Sequence, residues 1–274
     1  MRRRLTYRMF DRLTNRRETG VSDEVLTEYT DGIAVLTINR PEARNAVNRA
    51  VAEALAAALD ELDGRDDLAV GVITGSGGTF CSGMDLKAFL TGERPTVDGR
   101  GFGGLTQAPP SKPLIAAVEG YALAGGCEIV LACDMVVAAE NARFGIPEVT
   151  RGLVAAAGGL MRLPERIPYQ VAMEYALTGA MMDAPRAHAL GLVNRLTPPG
   201  GALDGALTLA RAVAKNAPLA VRATKKVIVS ASQWSAAEEW ERQGEIIGHV
   251  FTSQDAMEGA RAFAEKRAPN WQGR

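Results

Sequence analysis

The sequence predicts an α/β fold followed by a helical C-terminal region. Two observations carry this: successive β-α-β patterns occupy the first two thirds of the chain, and the β-rich runs stop at Pro198-Pro199-Gly200-Gly201. The 274 residues, 47% hydrophobic and 23% charged, are enough to bury a full core as one large domain or a domain with an appendage.

The first unit opens with Ile33-Ala34-Val35-Leu36-Thr37-Ile38, a β-rich run that must leave its strand at Pro41. Val47, Val51, Leu55, Leu59 and Leu62 then recur at helical steps, with Glu53, Asp60 and Glu61 between them. A Val/Ile-rich run over Leu68–Thr74 follows, broken by Gly75-Ser76-Gly77-Gly78. That glycine cluster reads as a turn, because neither a Lys-Ser/Thr pair nor a helix follows it as a phosphate loop requires. The second unit has strand-like Leu114–Val118, an apolar helix from near Gly126, and strand-like Met135–Ala139. Between the units, Thr91–Pro110 is dense in Gly and Pro and reads as a long mobile loop, of a length usually kept for function. Beyond residue 200, helical periods are predicted over Leu203–Lys215, Leu219–Ser230, Ser235–Ile247 and Asp255–Lys266. The chain therefore divides into an arm over 1–21, a core over 22–199 and a helical region over 200–274.

Composition excludes several function classes. A net charge of −1 gives no general field for nucleic acid or anionic membranes. The longest apolar stretch, Leu114–Ala139, is interrupted by Glu119, Glu128 and Asp134 and does not qualify as a membrane span. Cys81, Cys127 and Cys133 lack CxxC spacing, and His188 and His249 are the only histidines, so no metal site is expected and a reducing, cytoplasmic compartment is. The first 20 residues carry seven arginines without a following apolar segment, against a secretory signal. They read as a disordered or over-extended arm, with a transit peptide or a nucleic-acid-binding arm as alternatives.

Two carboxylates mark the chemistry. Glu128 and Glu148 each follow a Gly-bearing turn in apolar sequence, Gly125-Gly126-Cys127-Glu128 and Phe144-Gly145-Ile146-Pro147-Glu148. Burying an unpaired carboxylate costs several kcal/mol, so each must reach a polar cavity or a partner, and two of them suggest one shared cavity. Ala124-Gly125-Gly126 before an apolar helix would let backbone N–H groups approach an oxyanion, although a glycine pair there is more often only a tight turn. Thr79–Lys87 is a second Gly-bearing turn, readable either as another N–H donor or as a helix capped by Ser82 or Asp85.

Taken in order, Asn39-Arg40-Pro41-Glu42-Ala43-Arg44-Asn45-Ala46, Phe80-Cys81-Ser82-Gly83-Met84-Asp85-Leu86-Lys87, Gly120–Glu128 and Phe144–Glu148 resemble the successive motifs of the enoyl-CoA hydratase/isomerase (crotonase) family. The likeness continues through Gly158-Gly159, Leu177–Ala180, Gly191-Leu192-Val193 and Asp255–Gly259 to Phe263–Arg267, covering about residues 24–272. It implies the crotonase-type β-α-β superhelix (the ClpP/crotonase fold), with the C-terminal helices making trimer contacts in a trimer or dimer of trimers. It also implies an oxyanion hole from the N–H groups of Met84 and Gly125, a CoA channel lined by Asp85, Leu86 and Lys87, and Glu128 and Glu148 as catalytic acids flanking the double bond. Coenzyme A would enter as part of an acyl-CoA substrate, with no separate cofactor and no nucleic-acid or membrane partner.

Relatives with other chemistries often keep one of the two acids, so both together point to hydration of a trans-2-enoyl-CoA. The alternatives are another acyl-CoA reaction such as enoyl-CoA isomerisation, or a non-catalytic acyl-CoA- or RNA-binding role. The chain departs from the family pattern in three places. Ala124 stands where a third glycine is usual, Met84 where a small residue is common, and Gly152–Gly159 lacks the proline of many hydratases. Lys266 matches a residue that in some relatives reaches CoA phosphates from a neighbouring subunit.

Overall fold

A computed structural model describes residues 23–274. The Arg-rich arm over 1–21 lies outside the described residues. The chain opens with an antiparallel pair, β1 (Val25–Thr30) and β2 (Ile33–Ile38), joined through a turn at Asp31-Gly32. A short 3₁₀ turn at Pro41–Ala43 follows, and then α1 (Arg49–Gly64), whose first turn is capped by the Asn48 side chain accepting from the Val51 N–H at 2.9 Å. β3 (Val70–Gly75) and the short α2 (Leu86–Leu90) come next.

The segment expected to be a mobile loop is instead folded. It forms a small hairpin of β4 (Thr96–Val97) and β5 (Gly101–Phe102), followed by a turn in which Leu105 and Thr106 are buried. Its glycines at 99, 101, 103 and 104 all take positive φ, so their abundance encodes tight turns. At Gly104 the backbone lies so close to Ala52 and Ala56 of α1 that no side chain could fit.

β6 (Leu114–Val118), β7 (Tyr121–Leu123), α3 (Gly125–Ala132), β8 (Met135–Ala139) and β9 (Arg143–Gly145) form the second half of the core. After a 3₁₀ turn at Pro147–Arg151 come α4 (Gly159–Arg166), α5 (Tyr169–Thr178), β10 (Met182–Asp183), α6 (Ala184–Ala189) and β11 (Arg195–Thr197). The C-terminal helices are α7 (Ala202–Ala214), α8 (Pro218–Ala231), α9 (Glu239–Phe251) and α10 (Gln254–Glu265). The third begins four residues later than its periodicity predicts, because Ser235 Oγ and Glu238 Oε2 close a turn at 2.7 Å ahead of it.

The main sheet has six strands in the order β1-β2-β3-β6-β8-β11, parallel except for β1. Both of its faces are covered, which is why its inner strands are apolar throughout rather than alternating. Ala34, Leu36, Ile38, Ile73, Ala116 and Val118 face the larger core with α1 and α3. Ile33, Val35, Val70, Val72, Ile115, Ala117 and Val137 face the other way, against Ala202, Ala206 and Ala210 of α7. The first helix of the region beyond residue 200 thus completes the second face of the sheet. A smaller sheet, β10-β9-β7, carries the segments that lead into both glutamates.

Among the described residues, one ion pair joins the C-terminal helices to the core. Lys225 Nζ on α8 lies 2.6 Å from Asp134 Oδ2 and 2.9 Å from the Lys112 carbonyl, and the same Asp134 oxygen accepts the Leu114 N–H at 2.7 Å. Both side chains are mostly buried, 12% and 23% exposed. Lys225→Met would leave Asp134 short of its counter-charge. The expected loss is about 2 kcal/mol, less than for a fully buried pair, read as a lower urea midpoint at unchanged slope.

Candidate active site

Three Gly-bearing turns leave parallel segments at the same end. β7 and β9 pair in parallel, Leu123 opposite Gly145, and Cys81 bridges in parallel to Ala122 on the other side. The chain then continues from Cys81 into Ser82–Asp85, from Leu123 into α3, and from Gly145 into the turn bearing Glu148. Ligand sites in parallel α/β structures form at such carboxyl ends. The Ala124 N–H donates to the Gly145 carbonyl at 2.8 Å, tying the two glutamate-bearing segments together.

The glycines at this junction allow close approach. Gly125 lies against the Phe102 ring, and Gly126 lies on the Cys81 backbone, each with no room for a Cβ. A Cβ at Gly83 would sit 2.8 Å from Ala124 Cβ and 3.3 Å from the Gly125 nitrogen. The Ser82–Asp85 turn and the start of α3 are therefore in direct contact. Met84 is bracketed by Val47, whose N–H donates to Gly83 O at 2.8 Å and whose carbonyl accepts from Asp85 at 2.9 Å. Among the described residues neither the Met84 nor the Gly125 N–H has an acceptor. Gly125 is the first residue of α3, where the helix leaves its N–H groups unpaired.

Glu128, one turn into α3, is only 3% exposed. Its Oε1 accepts two backbone N–H groups, Ala157 at 2.7 Å and Gly159 at 2.8 Å. Burial pushes its pKa up, against the lowering effect of those donors and of the Arg162 charge. Glu148 sits in the first turn of Pro147–Arg151, with Oε2 buried and without a partner. Burial raises its pKa, and the negative charge of Glu128 raises it further, opposed by its own N–H and by Arg151. The structure thus brings both predicted acids into one electrostatic neighbourhood.

A model of the enoyl-CoA hydratase/isomerase family matches residues 28–274. The chain belongs to this family. The enoyl-CoA hydratase EchA19 of Mycobacterium tuberculosis is 41% identical over 260 residues, covering 92% of this chain and 97% of that protein. The carnitinyl-CoA dehydratase of Proteus mirabilis is 40% identical over 247 residues, covering 87% and 94%. The crystal structure of enoyl-CoA hydratase EchA1 from Mycobacterium marinum superposes with a TM-score of 0.91 at 59% identity, covering 92% of this chain and all of that one. The crotonase-type fold expected from the motifs is the fold observed.

Within this crotonase-family site, Asp85 has a structural task. Its carboxylate caps α2, accepting from Lys87 and Ala88 at 3.0 and 3.3 Å, and lies 3.0 Å from Arg40 Nη1. Burial opposes its charge, but the backbone donors and Arg40 outweigh burial and hold its pKa below the usual carboxylate range. The capping alternative for this turn is realised, with Asp85 as the cap, while the bridge to Val47 holds Met84. Leu86 and Lys87 are exposed, and Lys266 is the exposed C-cap of α10.

Sequence reasoning missed the groups that hold Glu128. The backbone at 157–159 and Arg162 carry no catalytic signal of their own, although the Gly158-Gly159 pair belongs to the family's motif series. Gly159 is required because a Cβ there would press on Glu128 Cγ and Oε1 at 3.0 Å.

Ala124, the departure from glycine, takes φ 51° and ψ −128°, a region that L side chains rarely occupy. Ala124→Gly is expected to stabilise the fold by about 1 kcal/mol, strain relief exceeding the added entropy of the unfolded chain. Thermal unfolding of the two proteins measures it.

Proposed function

We propose that this protein is an enoyl-CoA hydratase, adding water reversibly to a trans-2-enoyl-CoA to give a 3-hydroxyacyl-CoA. The observation carrying the reading is the pair of glutamates, one held by two backbone donors and the other with a buried oxygen left unpartnered, beside two unpaired backbone N–H groups. The N–H groups of Met84 and Gly125 hold the thioester carbonyl oxygen as enolate charge develops there, each donor worth about 3 kcal/mol. The Glu128 carboxylate, supported by two backbone donors and the Arg162 charge, takes a proton from water as its oxygen bonds to C3. Glu148, without a partner on its buried oxygen and within reach of the Glu128 charge, holds the proton delivered to C2. Their different hydrogen bonding, donors on Glu128 and none on the buried oxygen of Glu148, is what assigns base to the first and acid to the second in this reading. The pair ends with its proton exchanged, and a transfer between the two restores the starting state.

In this reading Asp85, Leu86 and Lys87 border the path of CoA, which arrives as part of the substrate. Leu153 and Val154, exposed in the segment ahead of Ala157, are available to an apolar acyl chain. The reading also places the protein in a reducing compartment, the cytoplasm, where Cys81, Cys127 and Cys133 remain free thiols.

The same reading includes assembly into a trimer or dimer of trimers. α9 buries none of its residues within the single chain, and Trp240, Phe251, Met257 and Phe263 stand exposed on α9 and α10. Light scattering should give three or six times the chain mass, and Trp240→Glu with Phe251→Glu should shift it towards the monomer.

The test of the reaction is the loss of enoyl-thioester absorbance with crotonyl-CoA and a long-chain 2-enoyl-CoA. Turnover abolished by both Glu128→Gln and Glu148→Gln supports hydration. Isomerase activity on a 3-enoyl-CoA that survives Glu128→Gln, without hydration by the unmodified protein, would replace this reading with isomerisation.

A further inference from the structure

Arg162 lies on α4 and exchanges no proton in the proposed reaction, yet it touches both halves of the site. Its Nη2 donates to the Thr106 carbonyl at 2.6 Å. Thr106 ends the turn whose N–H groups at 105 and 106 return to Phe102 O at 3.3 Å, and the Phe102 ring packs on Gly125. The other end of the guanidinium rests on Gly158, where a Cβ would collide with Nη1. Gly158 lies between the two residues whose N–H groups hold Glu128 Oε1. Nη1 itself is buried without a hydrogen-bond partner. The side chain is only half-buried, yet enclosing one of its donors without a partner is costly, which points to a task beyond local stability.

We infer that Arg162 is a positioning residue that fixes the Glu128 cradle against the Phe102 turn on the oxyanion side, setting base and carbonyl-binding groups at one separation. This rests on the hydratase reading for its catalytic consequence, though not for the geometry. Arg162 is the positive charge acting on Glu128 from α4, and the charge of Glu128 in turn acts on Glu148 in the neighbouring turn. Arg151 acts on Glu148, while Arg166 and Glu165 act on Arg162 from its own helix. Lysine at 162 would keep the charge but cannot span Thr106 and Gly158 with a planar fork.

The experiment is a ¹³C carboxyl titration of Glu128 in the Glu148→Gln background, which removes the coupled titration, with and without Arg162→Gln or Arg162→Lys. Steady-state kinetics of Arg162→Gln and Arg162→Lys with Glu148 intact accompany it. Glutamine is expected to move the Glu128 titration and the acidic limb of kcat/KM to higher pH. Lysine should move them less, yet still lower kcat about 10- to 100-fold with KM little changed, because position rather than charge has been lost. A Glu128 titration unmoved in folded Arg162→Gln, or full kcat in Arg162→Lys, overturns the inference. If the titration moves but the unmodified protein hydrates no enoyl-CoA, the clamp stands and the hydratase reading falls.

Discussion

Hydration of a 2-enoyl-CoA by the Glu148→Gln protein is expected to fall about 10²- to 10⁴-fold, the usual worth of a positioned acid or base, while the protein itself becomes more stable. The two effects have one cause. Glu148 is held where burial and the charge of Glu128 both disfavour its ionised form, and its buried oxygen has no partner. A carboxyl whose folded pKa is raised binds its proton more tightly in the native than in the unfolded state. Its ionisation therefore costs stability, a cost absent below the unfolded value near 4.5 and complete once the pH passes the folded value. Glutamine cannot ionise, so its advantage should be absent in acid and grow as the pH rises above the unfolded value, levelling off only past the raised folded value. Denaturation across that pH range measures it. The same substitution at Glu128 should cost similar activity, because glutamine can keep accepting from Ala157 and Gly159 but cannot take a proton from water. Combining both substitutions should add little to either loss, since they act on one proton-transfer event. Equal stability of Glu148→Gln and the unmodified protein across the pH range would mean that Glu148 is not held under electrostatic strain.

Gly126→Ala is the second large effect. The new methyl group would meet the Cys81 carbonyl and lie 2.9 Å from both the Cys81 carbonyl carbon and Cβ. This backbone cannot yield freely. Cys81 N–H donates to Tyr121 O at 2.9 Å, and Cys81 O accepts from Leu123 at 3.0 Å. Relief must open the bridge between Cys81 and Ala122, which separates the Met84 turn from Gly125. The expected outcome is a loss of about 1–3 kcal/mol in stability and about 10²- to 10³-fold in kcat, the latter from a misplaced carbonyl-binding donor. Gly64→Ala is the control. Nothing lies within 4 Å of the added methyl at the end of α1, so it should be neutral or stabilising by about 0.5 kcal/mol with activity unchanged. Full activity in a folded Gly126→Ala protein would show that the contact between the two turns does not matter to turnover.

The central strands were legible because burial on both faces forces uniformly apolar runs, and Ile33–Ile38, Leu114–Val118 and Met135–Ala139 match their predicted limits. β7 and β9 were not legible. Three-residue strands such as Tyr121–Leu123 are too short to show a period, yet their pairing is what brings the two glutamate turns together. α4 and α5 were missed for a related reason. α4 is eight residues long with Pro164 inside it, and the inward stripe of α5, Val171, Ala172, Tyr175 and Ala176, is blurred in sequence by the exposed apolar Tyr169, Met173 and Leu177. The glycines of the 91–110 segment signal turns equally well in a mobile loop and in a packed hairpin, and only the contact of Gly104 with α1 separates the two. Glu128 and Glu148 stood out because a carboxylate is conspicuous in apolar sequence. Arg162 did not, because a basic residue on a half-exposed helix is ordinary until its surroundings are known.

The route by which the site is put together bears on refolding. Met84, Gly125, Glu148 and Gly159 come from separate stretches of chain, aligned by parallel pairings that must each close a long loop, such as Ile115 with Met135 and Arg195 with Val137. Such contacts form late, because the entropy of loop closure is spent before they are rewarded. Until they form, Glu128 and Glu148 remain hydrated and unshifted. In a refolding experiment, helical signal should therefore recover before enzymatic activity, and the interval between them should lengthen when the small sheet is weakened.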